Sequence, residues 1–422
     1  TAPLLLGFMQ PATVATMEES VTREYNGERV FDGMEHDHSG NSRVLGALRY
    51  TASSKNAGSY SGENLLVGGL YSSQLGYDIS YGSAATLHVT PRKISQVTGI
   101  TAQNRTYNGE LGVNLLTLGA QFEGRLGNDQ LNVATASGTM DTKNAGDGKA
   151  VGITGITLGG DDRNNYALVR TTASTKVDIA KALIDQVTGI TAENRSYNGE
   201  KNVDLLTNGA QFQGRLGNDQ LTVATASGAM DTKNAGDGKA VDITGITLGG
   251  TDAGSYTLVK TTAETKVHIE QRAIKAVITA DDKTYDATMA AVTHAQLGAV
   301  LGQDQVTLAT SGSFATKDAG ADKTVHVSGS LAGTDAGNYR LEHNQTATAD
   351  IAPRVINAVI TADGKTYDAT RAAVTHGQLG ALLGEDQVML ATSGIFATKD
   401  AGTDKTINVS GSLAGRDAGN YR

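Results

Sequence analysis

An all-β fold built as a tandem array of small modules is what this sequence predicts, and three observations predict it. Near-copies of one stretch return along the chain: LAGTDAGNYR at Leu331 to Arg340 recurs as LAGRDAGNYR at Leu413 to Arg422, as LGGTDAGSYTL at Leu248 to Leu258 and as LGGDDRNNYAL at Leu158 to Leu168. A second mark, Tyr-Asn-Gly or Tyr-Asp-Ala, stands at Tyr25, Tyr107, Tyr197, Tyr285 and Tyr367. Between these marks Thr, Val, Ile and Ala alternate with polar residues, and 52 glycines punctuate the runs. That is the composition of strands and turns. The marking tyrosines are spaced by roughly 82, 90, 88 and 82 residues. This is too long for a solenoid repeat and fits a module able to bury its own core.

Taken in order, residues 1–13 read as the end of a preceding segment, and the first module runs over residues 14–89. It is the most divergent, and Leu87-His88-Val89 alternates as a half-buried strand requires. Modules two and three, residues 94–179 and 184–269, agree at roughly 67 of 86 positions at an offset of 90. Modules four and five, residues 274–351 and 356–422, agree at roughly 55 of the 67 positions they share, and the fifth reads as truncated before a counterpart of residues 341–351. Four-residue joints separate them: TPRK, AKAL, EQRA and APRV, with Pro91 and Pro353 in two of them. Joints so short predict an elongated rod with little bending.

Within module four the pattern predicts strands near 275–280, 283–290, 305–314, 324–328, 338–342 and 346–351. One short helix is expected between them. Thr293-His294-Ala295-Gln296 has capping-box spacing, and Leu297, Val300 and Leu301 then share a helical face before Gly302. Asx and Gly residues such as Lys317-Asp318-Ala319-Gly320 mark the turns. The reading leaves a β-sandwich and a β-grasp-like sheet with one helix as alternatives.

The aromatics supply the core. With no Trp, a small β module needs its rings for volume. Phe31, Phe122, Phe212, Phe314 and Phe396 fall one to a module, and modules two to five each hold two Tyr at matched positions. The two sequence marks therefore read as core elements, each joining an inward ring to a register-setting turn.

Composition also narrows function. The net charge of −9 carries no basic run, which argues against nucleic acid. No apolar run approaches the roughly 20 residues of a membrane span. There is no Cys, hence no disulfide and no thiolate metal site. No Gly-x-Ser-x-Gly elbow or paired-carboxylate signature stands out, and residues present in several copies are more simply scaffold, so an enzyme is not expected.

The Tyr-Asn-Gly and Tyr-Asp marks, the Asp-Ala-Gly-Asn-Tyr turn at Asp335 to Tyr339 and the ADIAPR joint at Ala349 to Arg354 resemble the YDG and MBG type repeats of filamentous-haemagglutinin-like adhesins of Gram-negative bacteria. The likeness covers nearly all of modules two to five, and module one looks nearer the MBG type. Ala287 and Ala369 stand where such repeats usually carry a third-position Gly, which puts the turn type there in question. The resemblance implies an extracellular or cell-surface protein serving adhesion, aggregation or biofilm matrix, exported by two-partner secretion through an outer-membrane partner. These modules would then be its stalk.

Three groups of residues are candidate sites. His36-Asp37-His38 could show two imidazoles to a metal, but lacks a third ligand and sits among Gly and Asn as a solvated turn would. Asp161, Asp162 and Asp252 are oxygen-rich calcium candidates. Asp162 recurs before each turn, however, where an Asx hydrogen bond is the simpler role. Tyr50, Tyr60, Tyr71 and Tyr77, with Tyr81, are the rings left over after cores are assigned. They would form a platform for a polysaccharide or surface glycan on module one, or else complete a divergent core. Carbohydrate binding through module one is thus the alternative to a stalk. Lys–Asn crosslinks of the pilus kind would need a buried Lys that sequence cannot locate.

Overall fold

The computed structural model describes residues 20–35, 44–72, 79, 81 and 85–422. Among them strand follows strand and no α-helix occurs. The helical turns present are 3-10 turns of three residues, Gly62–Asn64, Arg163–Asn165, Ala253–Ser255, Ala336–Asn338 and Ala418–Asn420. Four of these five fall inside the repeated Asp-x-x-x-Tyr mark. The chain divides into two compact units, one of residues 1–188, 210–225 and 247–261, the other of residues 189–209, 226–246 and 262–422. The division falls within the third repeat.

In the second unit, module four shows the architecture most fully. Arg272–Ala280 reads RAIKAVITA and buries Ile274, Ala276 and Ile278 while Lys275, Val277 and Thr279 face out, the period of two that makes a one-sided strand. It pairs antiparallel with Thr293–Leu297 and parallel with Tyr339–His343, giving a three-stranded sheet. A five-stranded sheet accompanies it. Its centre is the hairpin of Thr307–Phe314 with Gly320–Ala332, in unbroken register from Thr307 opposite Ala332 to Phe314 opposite Val325. Thr346–Ala352 and Lys283–Thr284 extend it on one side and Ala290–Ala291 on the other. Ile278, Phe314, Val325, Val327, Ala349 and Ile351 form one buried cluster drawn from both sheets. Two β layers around one core favour the sandwich, and without a helix the β-grasp alternative falls away.

The same five-strand order recurs in module two of the first unit, through Arg105–Thr106, Ala173–Ala180, Gly146–Gly159, Asn132–Met140 and Gly112–Val113. Module one differs. Val30–Glu35, Val44–Ala52 and Leu65–Ser72 make one three-stranded sheet, and Ser20–Glu24, Thr86–Thr90 and Gly58–Ser61 another. The alternating Leu87-His88-Val89 lies in the second of these as expected.

Two expectations are corrected. Thr293–Leu297 is a strand, not the start of a helix: it pairs residue by residue with Ala280 through Ala276, and Gly298 N–H continues the pairing to Lys275 O at 2.8 Å. A three-residue apolar face cannot repay helix nucleation. The β-branched Thr293 instead places its hydroxyl 2.8 Å from that of Thr310, joining the three-stranded sheet to the five-stranded one. Likewise the predicted strand at 283–290 is split into Lys283–Thr284 and Ala290–Ala291 by the Tyr285-Asp286-Ala287 turn. The turn is braced by Lys283, whose ammonium donates to Asp286 Oδ1 at 2.8 Å and to the carbonyls of Thr288 and Ala290 at 2.9 Å.

The joint segments are not free linkers. Arg92–Ile94 and Ala182–Ile184 run parallel to Tyr166–Leu168 and Tyr256–Leu258, so each joint enters its own module as a strand beside the second sequence mark.

Candidate functional site

The two sequence marks come together in space, and they do so between consecutive repeats. Four of the five first-mark tyrosines follow a short strand and are pinned where their own module ends: Tyr25 N–H donates to Thr90 O at 3.0 Å, Tyr107 N–H to Ala180 O at 2.8 Å, Tyr197 N–H to Glu270 O at 2.8 Å and Tyr285 N–H to Ala352 O at 2.9 Å. From there the ring projects past the joint, and its hydroxyl reaches an aspartate of the following module.

Two such joints lie in the first unit. Asp129 Oδ2 accepts from Tyr25 and from Tyr166, both at 2.7 Å, with Lys55 Nζ 3.5 Å from Oδ1. Asp219 Oδ2 accepts from Tyr107 and Tyr256 at 2.6 Å, with Lys143 on Oδ1. The second unit holds two more. Asp304 takes Tyr197 at 2.8 Å, Tyr339 at 2.7 Å and Lys233. Asp386 takes Tyr285 at 2.8 Å, Tyr421 at 2.7 Å and Lys317 at 2.7 Å. All four are the same device: a carboxylate buried in a Gly-x-Asp-Gln turn, accepting two phenols on one oxygen and facing an ammonium with the other.

The rings add contact. Tyr25 and Tyr166, Tyr107 and Tyr256, Tyr197 and Tyr339, Tyr285 and Tyr421 meet edge to face with centroids 5.4 to 5.6 Å apart, an arrangement worth about 0.5–1.5 kcal/mol beyond burial. A backbone latch lies beside each pair. Asn165, Ser255, Asn338 and Asn420, all buried, accept from the N–H of Ala57, Ala145, Ala235 and Ala319 at 2.7 to 3.1 Å. These are the 3-10 turn residues just before the second-mark tyrosines.

Electrostatics follow from the burial. Desolvation pushes all eight phenols up, and the shared carboxylate adds to it; Tyr166 and Tyr256 reach about 12. Burial alone would raise the four aspartates, but hydrogen bonds from the tyrosines and lysines outweigh it and hold the carboxyls below their usual range. The carboxylate in turn raises Lys143, Lys233 and Lys317. Phenol, carboxylate and ammonium are therefore all kept in the form that binds at neutral pH. The set satisfies a buried charge and holds surfaces together.

The sequence-predicted residues are placed as follows. Asp162 and Asp252 make no side-chain cap hydrogen bond to the turns they open, so the expected Asx bond is not formed there; instead their Oδ2 atoms accept from Gln130 N–H and Gln220 N–H at 2.7 Å, 32 residues away, and brace the aspartate turn. Asp252 also lies 3.3 Å from Lys143, and Asp161 is exposed. Among the described residues no three His, Cys, Asp or Glu gather as metal ligands would. Tyr50 and Tyr60 are core residues, not a platform; Tyr50 is fully buried and Tyr60 donates to Asn56 O. Tyr81 is half-buried with its hydroxyl on Leu70 N–H, and Tyr71 is exposed. Tyr77 and His36 to His38 lie outside the described residues.

Sequence reasoning placed the paired tyrosines inside and missed their aspartate. The signal was present, since Asp129, Asp219, Asp304 and Asp386 all precede Gln in a Gly-x-Asp-Gln step. A family profile described as YDG domain matches residues 90–175, 181–264, 270–349 and 352–422. No curated protein matches the chain.

Proposed function

The chain belongs to the YDG domain family, and on that premise we propose that it is a run of spacer repeats in an extracellular bacterial adhesin, holding a binding or anchoring region away from the cell. The observation that carries the reading is the joint itself. One buried Tyr-Asp-Tyr-Lys node is built four times, so the residues that recur serve attachment of module to module. A spacer needs that and little else. The resemblance of the marks to adhesin repeats supplies the adhesive and cell-surface context, with export through an outer-membrane partner. The absence of Cys suits the cytosol as well as a protein that crosses two membranes without oxidative folding, so the compartment rests on the resemblance. Among the described residues no helix is long and apolar enough to cross a membrane.

The carbohydrate-binding alternative keeps little of its platform, because Tyr50 and Tyr60 are buried and Tyr71 is the one exposed ring among the described platform residues. Two measurements test the proposal. Antibodies to this region should label intact, unpermeabilised cells of the source bacterium; labelling that needs permeabilisation would overturn the surface role. A glycan array probed with the full chain should stay silent, and binding abolished by Tyr71→Ala would put recognition in place of spacing.

A further inference from the structure

The strands by which the chain enters and leaves a module run in the same direction as the neighbours that tie the two ends together. In module one the two are direct partners: Ser20–Glu24 pairs parallel with Thr86–Thr90, from Ser20 opposite Thr86 to Glu24 opposite Thr90, and Tyr25 N–H adds a bond to Thr90 O at 3.0 Å. Val21, Leu87 and Val89 are buried beneath that ladder. Module four reaches the same end with two parallel pairs. Its entering strand Arg272–Ala280 runs beside Tyr339–His343, from Arg272 opposite Tyr339 to Ala276 opposite His343, and its leaving strand Thr346–Ala352 runs beside Lys283–Thr284. Ile274, Ala276, Ile278, Ala349 and Ile351 on these terminal strands are buried. In module two Arg92–Ile94 lies parallel to Tyr166–Leu168, and Arg105–Thr106 to the leaving strand at Ile179 and Ala180.

We propose that these modules are force-bearing, and that the parallel terminal strands are a shear clamp against tension applied along the chain. Direction decides this. Tension draws the entering strand toward its N-terminus and the leaving strand toward its C-terminus. Between parallel neighbours the two pulls are opposed and run along the strands, so every ladder hydrogen bond and the buried side chains beneath must give way together. An antiparallel pair would have both pulls at one end, and its ladder would open one bond at a time. Parallel pairing is the slightly less stable choice per residue, so what it adds here is the direction in which the ends resist. In module four the load returns to Tyr339–His343 through Thr346–Ala352, which follows it in the chain, and each parallel pair therefore couples the N-terminal part of the module to the C-terminal part. The inference goes beyond spacing and rests on strand direction, not on the adhesin context. A chain absent from the cell surface would still hold its clamp, and a surface chain without one would still be a spacer.

Single-molecule force spectroscopy on the 422-residue chain tests it. Pulled from its two ends, the chain should break module by module, each break lengthening it by roughly 250 Å, an 82-residue period at about 3.3–3.6 Å per residue less the span of the folded module. The chain has no Cys, so two introduced thiols fix where the load is applied. Ser20→Cys with Thr90→Cys pulls the module-one ladder along its length, whereas Glu24→Cys with Thr90→Cys pulls two residues that face each other across one end of it. All three positions are exposed, and both variants release nearly the same length, which reports that module one was folded before the pull. At one loading rate the lengthwise pair should rupture at a force about twofold or more above the crosswise pair, since forced rupture follows the unfolding rate along the direction loaded. Equal rupture forces for the two pairs, or smooth extension of the full chain without discrete breaks, would overturn the clamp.

Discussion

Ala287 and Ala369 sit at φ 63°, in the left-handed region, where the corresponding Gly27, Gly109 and Gly199 sit at φ 80° to 82°. The turn after the first-mark tyrosine is thus kept even where its glycine is lost, which answers the question the sequence raised. An alanine there costs about 1–2 kcal/mol of backbone strain, partly offset by the smaller entropy it loses on folding. Ala287→Gly should therefore stabilise by about 1 kcal/mol, read as a higher urea midpoint; a lower midpoint would refute the strain. The joint itself is testable at one atom. Tyr285→Phe keeps the ring but removes a hydrogen bond to a buried carboxylate, and should cost about 1.5–3 kcal/mol. The same change at Tyr367, exposed, should stay within about 0.5 kcal/mol. Equal effects at both sites would mean that the hydroxyl carries no joint.

At the scale of elements, the aspartate turn depends on a close backbone approach. Gly333 has φ 114°, and a Cβ there would lie 2.2 Å from Gln305 O, beside the Asp304 turn; Asp335 Oδ2 accepts from the N–H of that same Gln305 at 2.9 Å. Gly333→Ala should cost about 3 kcal/mol or more, combining the disfavoured φ with a backbone clash. Tyr197 should gain nitration reactivity with it, since its acceptor Asp304 would shift; a silent substitution would show that the turn can relax. Here the limits of the sequence are plain. Alternation in Arg272–Ala280 and in Thr307–Phe314 announced the strands, because half-burial writes itself as a period of two. The stretch after Thr293 misled, because capping-box spacing and three apolar residues are local cues, and the backbone partner that overrides them is Arg272–Ala280.

For the whole chain, the four nodes predict how stability depends on pH. The aspartates have folded pKa values below their unfolded value near 3.9, so their contribution is present above about pH 4 and is lost as pH falls through the lowered folded values. The phenols are raised, so theirs is full below about pH 10 and is lost as pH rises toward the folded values, about 12 for Tyr166 and Tyr256. Stability should be flat between these limbs, and the alkaline loss should coincide with the rise in ultraviolet absorbance that accompanies tyrosine ionisation. Loss of folding near neutral pH would point to a different group. A second test is modular. Deleting residues 274–355, one 82-residue period, joins Ala273 to Ile356 and offers Asp386 to Tyr197 and Lys233. The shortened chain should fold with Tyr197 still protected from nitration; exposure of Tyr197 would show that the joints are specific to their own neighbours.

By itself the sequence determined that this is a tandem-repeat β protein and that matched tyrosines such as Tyr285 and Tyr339 lie inside, because periods and alternation are local and repeat; Tyr50 and Tyr60, read as surface rings, are buried, and Tyr367, read as a core ring, is exposed. That Tyr107 and Tyr256, 149 positions apart by number, share the carboxylate of Asp219 was decided by tertiary structure alone. A buried charge must find its partners wherever folding brings them, and nothing in the local pattern of a Gly-x-Asp-Gln turn says which surface will close over it.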